Sequence, residues 1–284
     1  MNRPGLSINV GGKLMDFAVP RVMGIINVTP DSFFSGSRCN EDAHIARRAI
    51  EMLEEGADIL DVGGCSTRPG SEAVAEDVEF ERLAHALDAI REVAPDAVVS
   101  VDTFRSSIAR QCVERWKVAI INDISGGDAD PEMWETIAGL KVAYVLMHSR
   151  GESVSMMSRS DYEDVTAEVL TDLAKKLTSL RRLKVNDIIL DPGFGFAKTP
   201  EQNMQLLDEL EQFCRTGVPV LVGLSRKSMI WKTLGITPEE SLAGTICLET
   251  IALDRGADIL RVHDVKEAVE AVRLMCALKA SRAQ

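Results

Sequence analysis

Short apolar runs rich in β-branched residues recur eight times along the 284 residues of the chain, and this repetition limits the folds that it can adopt. Segments with the apolar spacing of helices lie between the runs. Alternation of buried strands with helices over the length of one domain is typical of a parallel sheet. The predicted strands are residues 22–26, 57–62, 97–101, 118–121, 142–147, 187–190, 218–222 and 257–262.

Two of the intervening segments repeat apolar residues at i, i+3, i+4 and i+7, the spacing of an amphipathic helix. A third helix is predicted to begin at Pro200, because Thr199 and Gln202 have the spacing of a capping box. The two apolar stripes are Ala46, Ala49, Ile50 and Leu53, and Leu83, Ala86, Leu87 and Ile90.

Eight strands with their helices favour a closed (β/α)8 TIM barrel of the α/β class over the open doubly wound sheet that the same alternation allows. Residues 8–17, with Gly11 and Gly12 at their centre, predict a short N-terminal hairpin that covers the bottom of the barrel. No linker, low-complexity tract or charge run divides the sequence. We therefore predict one barrel domain over residues 1–284.

Net charge, apolar runs and cysteine usage indicate which partners and which cellular location suit this chain. A formal charge of −12 opposes nucleic acid and anionic membranes as partners. The sequence has no run of 18 apolar residues and no apolar signal-peptide core. Six cysteines without a C-x-x-C pair indicate reduced thiols. These features predict a cytoplasmic protein without nucleic-acid or membrane partners.

Polar residues come directly after the predicted strands. The carboxyl ends of barrel strands form one rim, where side chains face a shared pocket. The segment Gly-Ala-Asp-Ile-Leu occurs twice, at residues 56–60 before Asp61 and at residues 256–260 before Arg261, so similar strands deliver different rim residues. The rim residues are Asn27, Asp61, Asp102, Asn122, Asp123, His148, Asp191, Arg261, His263 and residues 225–228.

One group of rim side chains suits the edge of a flat heterocycle. A carboxylate pairs in bidentate fashion with adjacent N–H and NH2 groups, and a lysine donates to a ring carbonyl. A 2-amino-4-oxo pyrimidine edge has this pattern. The residues of the group are Asp102, Asn122, Asp191 and Lys227.

A second group suits an anion. Arg68, Arg261 and His263 are donors for phosphate oxygens, and Asn27 offers a neutral oxygen to Mg²⁺. Arg68 lies among small residues in a loop at 63–70, and such loops can close over a site. The early loop at 29–36 has the same character. Two glycines within residues 191–196 allow backbone to approach a ligand closely.

Taken together, these motifs resemble those of the dihydropteroate synthase family, the folate-pathway enzymes that sulfonamides inhibit. They lie in the family's order and extend from Asn27 to Asp264. The matching segments are Asn27-Val28-Thr29-Pro30-Asp31-Ser32-Phe33, Ser66-Thr67-Arg68-Pro69-Gly70, Val101-Asp102-Thr103, Asn122-Asp123-Ile124-Ser125-Gly126, Leu146-Met147-His148, Asp191-Pro192-Gly193-Phe194-Gly195-Phe196, Ser225-Arg226-Lys227-Ser228 and Arg261-Val262-His263-Asp264.

The resemblance implies a transferase that condenses 6-hydroxymethyl-7,8-dihydropterin diphosphate with 4-aminobenzoate, with Mg²⁺ as cofactor, in a homodimer. It implies loss of diphosphate followed by attack of the amine, with Asp102, Lys227, Arg68, Arg261 and His263 as catalytic residues. The implied pterin ligands are Asp102, Asn122, Met147, Asp191 and Lys227. The residues implied to bind diphosphate are Asn27, Arg68, Arg261 and His263, and Asn27 is also the implied Mg²⁺ ligand. The implied contacts of aminobenzoate are Thr67, Pro69, Phe196 and Ser228, with Phe33 nearby.

Two other functions fit the same barrel. One is a methyltransferase that takes a methyl group from methyltetrahydrofolate to a corrinoid, against which Lys227 and the Arg261/His263 pair argue. The other is an inactive, pterin-binding barrel. Cys65 and Arg150 depart from the family pattern. We also expect Arg261→Ala to affect the reaction more than folding, because a rim arginine contributes little to a core.

An apolar stripe on the C-terminal helix has two interpretations. Ala268, Val269, Val272 and Met275 lie on one face of this predicted helix. They suit either a subunit interface or packing against the barrel.

Overall fold

The computed structural model describes residues 5–28, 38–65, 74–150 and 160–281, with the side chains of residues 38–41 excepted. Two short strands, β1 (Ser7–Val10) and β2 (Lys13–Asp16), form an antiparallel hairpin ahead of the barrel. The barrel strands are β3 (Arg21–Asn27), β4 (Ile59–Gly63), β5 (Val99–Asp102), β6 (Ile120–Asp123), β7 (Ala143–Met147), β8 (Ile188–Asp191), β9 (Leu221–Val222) and β10 (Ile259–Val262).

Helices follow the barrel strands. They are α1 (Arg38–Glu55), α2 (Glu76–Val93), α3 (Ser106–Trp116), α4 (Met133–Leu140), α5 (Val165–Arg182), α6 (Pro200–Asp208), α7 (Glu211–Cys214), α8 (Ser228–Leu234), α9 (Leu242–Asp254) and α10 (Val265–Ser281), with a 3-10 turn at Glu239–Ser241. None of the helices within the described ranges is long and apolar enough to cross a membrane.

The eight strands form a parallel barrel. Their order is β8-β7-β6-β5-β4-β3-β10-β9, and every neighbouring pair is parallel. A parallel bridge between Leu190 and Val220 joins the two ends of this order, and Leu190 N donates to Pro219 O at 2.8 Å. The closed barrel predicted from the sequence is therefore confirmed, and the open sheet was the wrong alternative.

The repeated segment Gly-Ala-Asp-Ile-Leu ends a helix and begins a strand. Gly56 and Gly256 adopt left-handed φ values of +106° and +100°, which terminate α1 and α9 at low steric cost. The aspartate that follows the glycine then accepts a hydrogen bond from a backbone N–H of the neighbouring segment. Asp58 accepts from Val22 N at 2.9 Å, and Asp258 accepts from Val220 N at 2.7 Å. The repeated segment thus forms the start of two strands at the bottom of the barrel, and the rim residues of these strands follow it in the sequence.

The hairpin covers the bottom of the barrel, as predicted. Ile8, Val10 and Phe17 are buried in one cluster with inward-facing strand residues such as Met23 and Ile59. Gly11 and Gly12 form its turn with positive φ angles. Asn9 N donates to the carboxylate of Asp187 at 2.7 Å, which ties the hairpin to the segment before β8.

The predicted helices are present, with one difference in orientation. All four stripe residues of α2 are buried, and the capping box of Thr199 and Gln202 starts α6. In α1 the buried face is formed by Ile45, Ala49 and Met52, whereas Ile50 is 39% exposed. The i, i+4, i+7 series beginning at Ile45, rather than at Ala46, therefore faces the barrel.

Glu249 is a buried acid on the inner face of α9, and neither of its carboxylate oxygens has a hydrogen-bond partner among the described residues. Burial, with the nearby Asp264 charge, raises its pKa to about 8. The unfolded chain releases this proton near pH 4.5, and the folded protein retains it to about pH 8. Folding stability therefore decreases as the pH rises through this window, by up to about 1.4 kcal/mol per pH unit.

We expect Glu249→Gln to remove this pH dependence. The amide resembles the protonated acid, so the variant and the wild type should have similar melting temperatures at pH 5. At pH 8 the variant should melt several degrees higher, because it no longer loses the free energy of keeping a buried carboxylate protonated. Thermal denaturation at both pH values measures this, and an equal difference at the two values would contradict it.

Candidate active site

The register of the barrel brings the predicted rim residues together. Asp102 at the end of β5 pairs with Asn122 of β6 on one side and with Gly63 of β4 on the other. Asp191 at the end of β8 pairs with Met147 of β7. All of these residues are buried in the barrel. The register thus pairs Asp102 directly with Asn122 and places Asp191 two residues further along, since Asn122 pairs with Val145 and Asp191 pairs with Met147.

Arg261 lies between two carboxylates at the centre of this set. Its Nε donates to Asp61 Oδ2 at 2.7 Å, and its Nη2 donates to Asp102 Oδ2 at 2.8 Å. The side chain is only 18% exposed. Contrary to the expectation from sequence, Arg261 is therefore part of a buried ionic network, and its loss would leave buried charges without a partner.

Burial shifts the pKa values of the carboxylates upward. The pKa of Asp102 rises to about 7, since burial and the charges of Asp61, Asp123 and Asp191 outweigh the attraction of Arg261. Burial also raises the pKa of Asp191, against the attraction of Lys227. Because burial is the largest cause of both shifts, keeping these carboxylates ionised in the pocket costs free energy. Such a pocket favours a ligand that brings N–H donors or positive charge.

Lys227 lies across from Asp191. Its Nζ donates to the carbonyl oxygen of Phe194 and lies 4.9 Å from the centre of the Phe196 ring. Burial lowers the pKa of Lys227 to about 8. A Cβ atom at Gly195 would lie 3.1 Å from the lysine Cδ, so the glycine leaves room for this side chain.

The segment from Asp191 to Phe196 is held by buried hydrogen bonds. Gly193 adopts a φ of +73°, and a Cβ atom there would clash with the carbonyl oxygen of His148. Its N–H donates to Asp191 Oδ1 at 2.7 Å, which fixes the carboxylate. Lys198 donates to the carbonyl oxygens of Gly193 at 2.9 Å and Phe196 at 3.0 Å.

Lys198 also accounts for His148, which the sequence placed at the rim. Lys198 Nζ lies 3.1 Å from His148 Nδ1, and both side chains are buried. Burial and the neighbouring cations lower the pKa of His148 to about 2, so the ring is a neutral acceptor at physiological pH. His148 therefore belongs to the support of the loop. Lys198 was not among the residues predicted from the sequence. The signal that could have identified it is a lysine between the glycine-containing segment 191–196 and the start of α6 at Pro200.

The predicted anion-binding residues lie at the same rim. Ser225 Oγ lies 2.9 Å from His263 Nδ1 and also accepts a hydrogen bond from the backbone N–H of His263 at 3.2 Å, so it holds the imidazole in place. Asn27 is exposed at the end of β3. A Cβ atom at Gly63 would lie 3.5 Å from Asn27 Oδ1 and 3.6 Å from Asp102 Cβ, so Asn27 and Asp102 border the same strand position.

Arg226 and Arg150 do not belong to this anion site. Arg226 has a φ of +55° and forms two 2.9 Å hydrogen bonds to Asp264, so it fixes the turn that presents Lys227. Arg150 donates to Glu168 at 2.6 Å and lies 3.9 Å above the ring of Tyr162. Both arginines are thereby engaged in structural contacts.

For several other predicted site residues, the structure gives the burial but few contacts, or the residue lies outside the described ranges. Met147 is buried, and Phe196 and Ser228 are half-buried; Ser228 follows Lys227 in the chain, and the Phe196 ring lies close to Lys227 in space. Burial raises the pKa of the Cys65 thiol, which does not favour a nucleophilic thiolate. Thr67, Arg68, Pro69 and Phe33 lie outside the described residues.

Comparison with known proteins establishes the family. The model of the family described as "Pterin binding enzyme" matches residues 23–263. The chain is 40% identical over 259 residues to dihydropteroate synthase of Bacillus subtilis (strain 168), covering 90% of this chain and 88% of that protein. The chain belongs to the dihydropteroate synthase family. The resemblance inferred from the motifs is thus confirmed.

Solved structures of dihydropteroate synthases share the fold. The enzyme of Xanthomonas albilineans with 4-aminobenzoic acid superposes with a TM-score of 0.89 at 37% identity, over 96% of this chain and 98% of that chain. The enzyme of Yersinia pestis, in a complex with a sulfonamide drug, has a TM-score of 0.89 at 34% identity, over 97% and 100%. Dihydropteroate synthases of this kind therefore match the barrel over nearly its whole length.

Proposed function

We propose that this member of the dihydropteroate synthase family condenses 6-hydroxymethyl-7,8-dihydropterin diphosphate with 4-aminobenzoate, giving 7,8-dihydropteroate and diphosphate. One observation carries the proposal: Asp102, Asn122, Asp191, Lys227 and Arg261 come from five different strands or strand ends and meet in one buried pocket. A pterin-diphosphate needs this combination of acceptors, an amide and cations.

The pterin ring would bind through the carboxylates and Lys227. Gly193 N–H holds one oxygen of Asp191, and we assign the other oxygen to adjacent N–H groups of the ring. Lys227 would exchange its bond to the Phe194 carbonyl for the ring carbonyl. Because burial raises the pKa values of Asp191 and Asp102, a donor-rich ring would stabilise their ionised forms.

The diphosphate would lie at the side of Arg261, His263 and Asn27, with Arg68 contributing from its loop. Mg²⁺ commonly keeps water and substrate phosphates as ligands and takes few from protein. The described residues contain no group of three His, Cys, Asp or Glu side chains able to hold a metal. The exposed oxygen of Asn27 therefore fits an ion held mainly by diphosphate. When bound, Mg²⁺ would supply positive charge to the leaving group.

The chemistry requires electrostatic stabilisation more than a protein nucleophile. An aromatic amine is a weak nucleophile, whereas an electron-rich dihydropterin supports a cation at its exocyclic carbon once diphosphate departs. Arg261 and His263 stabilise the departing anion, and the Asp102 carboxylate supports the cation. Arg261 contacts Asp102 directly, so one ion pair spans both developing charges.

The test is to combine the purified chain with dihydropterin diphosphate, Mg²⁺ and 4-aminobenzoate, and to follow diphosphate release and product mass. We expect product that requires both substrates, decreases with a chelator, and is inhibited by a sulfonamide in competition with 4-aminobenzoate. Pterin binding without product would support the inactive barrel instead. Methyl transfer from methyltetrahydrofolate to a corrinoid would support the methyltransferase.

We also propose that the chain forms one barrel domain over residues 1–284 and associates as a homodimer through α10. Ala268, Val272 and Met275 pack against the barrel, so the stripe noted in the sequence is not exposed. The exposed apolar side chains lie elsewhere on α10, at Leu274 (72% exposed) and Leu278 (44%). Sedimentation of a monomer at micromolar concentration would contradict the dimer.

A cytoplasmic location is proposed from the thiols. Cys65, Cys112, Cys247 and Cys276 are free thiols within the described ranges, and cysteines usually stay reduced in the cytoplasm.

A further inference from the structure

Asp61 is a buried acid directly below the proposed site. It lies in the middle of β4, where it pairs in register with Ser100 of β5, two residues before the level at which Gly63 pairs with Asp102. Its exposed fraction is 0%. Burying a carboxylate has a large free-energy cost unless it is paired and hydrogen-bonded. An acid at this depth in the barrel therefore needs a physical reason.

The contacts of Asp61 join both halves of the site. Its Oδ2 accepts from Arg261 Nε at 2.7 Å and from Asn122 Nδ2 at 3.1 Å. Arg261 Nη2 lies within 2.7 Å of the same oxygen. Its Oδ1 is buried without a hydrogen-bond partner among the described residues. A single carboxylate oxygen thus organises a residue of the pterin group and a residue of the diphosphate group.

The chemistry of a carboxylate restricts both partners. An ionised carboxylate only accepts hydrogen bonds, so Asn122 must direct its NH2 group, not its oxygen, toward Asp61. This decides which atoms of the amide remain for a ligand. Arg261 is held by Asp61 at one side of the guanidinium and by Asp102 at another, and these two bonds fix the plane of the group.

We infer that Asp61 is a positioning residue that sets the amide orientation of Asn122 and the guanidinium plane of Arg261. It does so from below the site, through these two side chains. This inference rests on the proposed function, because it assigns Asn122 to the pterin and Arg261 to the leaving diphosphate. It adds a residue that the sequence placed at the rim and left without a role.

The main test is Asp61→Asn, which keeps the shape of the side chain but removes its charge. We expect kcat to fall about 10- to 100-fold, as for other residues that orient functional groups. KM for dihydropterin diphosphate should rise severalfold, because Asn122 can then turn its amide either way. KM for 4-aminobenzoate should stay within about threefold, since the hydrogen bonds of Asp61 within the described ranges go to Asn122 and Arg261, which are assigned to the other substrate.

A double-variant comparison separates positioning from a general effect on the fold. In an Arg261→Met background, Asp61→Asn should reduce kcat by much less than in the wild type, because Arg261 is no longer there to be oriented. Asp58→Asn is the matched control. Asp58 lies just before the same strand, pairs with Arg21 at 3.0 Å at the bottom of the barrel, and should leave both KM values and kcat unchanged.

The outcomes distinguish this inference from the proposed function. An unchanged kcat in Asp61→Asn, or an equal loss in both backgrounds, would overturn the positioning role. A rise in both KM values with a lower melting temperature would also overturn it, in favour of a purely structural role. If the wild type forms no product, the proposed function fails, and calorimetry still tests Asp61: a 2-amino-4-oxo pterin should bind severalfold more weakly to the variant.

Discussion

Arg261→Ala should lose both activity and stability. We expect kcat/KM to fall about 100- to 1000-fold, the usual effect of removing one donor to a developing anion. The variant should also lose about 3 kcal/mol of folding free energy, because Asp61 and Asp102 remain buried without their cation. Steady-state kinetics and urea denaturation measure the two losses. The stability loss should be smaller at pH 5.5 than at pH 8, since the unpaired Asp102, whose pKa is already raised by burial, can protonate.

Arg255→Ala is the control for this prediction. Arg255 also bridges two acids, Asp208 at 2.6 Å and Glu211 at 3.1 Å, but it does so at the surface. Exposed ion pairs contribute little to stability because solvent screens them, so both activity and stability should stay close to wild type. If Arg261→Ala unfolded at the same denaturant concentration as Arg255→Ala, the buried network around Arg261 would not contribute as its geometry indicates.

Asp191→Asn should remove most pterin recognition. The substituted amide can keep the bond from Gly193 N–H, so the loop should retain its structure. The other terminal group of the amide is then NH2, which cannot accept from the ring N–H groups. Hydrogen bonds to a charged group contribute about 1.5 to 3 kcal/mol. We expect the affinity for a pterin to fall about 10- to 100-fold, with little change in melting temperature. Calorimetry with a pterin and thermal denaturation measure these effects.

The matched control is Asp187→Asn, which changes the same residue type just before the same strand. Asp187 accepts from Asn9 N–H at the bottom of the barrel, and an amide oxygen can replace that acceptor. The affinity of the Asp187→Asn variant for a pterin should equal that of the wild type. Equal affinities for the Asp191 and Asp187 variants would show that Asp191 does not bind the pterin ring.

Strand positions were predictable because their chemistry is local. Buried parallel strands are continuous apolar runs, and all eight predicted runs overlap an observed strand. A predicted strand starts earlier than the observed one where its first residues belong to the end of the preceding helix. Ala57, for example, was predicted to begin a strand, but its N–H donates to Met52 O at the end of α1. Such backbone bonds depend on the preceding helix, which apolar spacing does not describe.

The position of the rim residues at the strand ends was predictable, but the contacts of these residues were not. Motifs identified Asp102, Asn122, Asp191, Lys227 and Arg261, and the barrel brings these residues into one pocket. In contrast, the sequence assigned Arg150 no role, and the structure pairs it with Glu168 and Tyr162.

The sequence by itself determined the barrel, its closing hairpin and the family, because strand runs, turn glycines and motif spacing are all encoded in neighbouring residues. The tertiary structure alone decided that Arg261 is a buried ion-pair partner and that Asp61 lies beneath it. These residues are 200 positions apart in the chain. Their interaction exists only because parallel strands β4 and β10 both flank β3 and direct their side chains into one interior, where a low dielectric makes each unpaired charge costly.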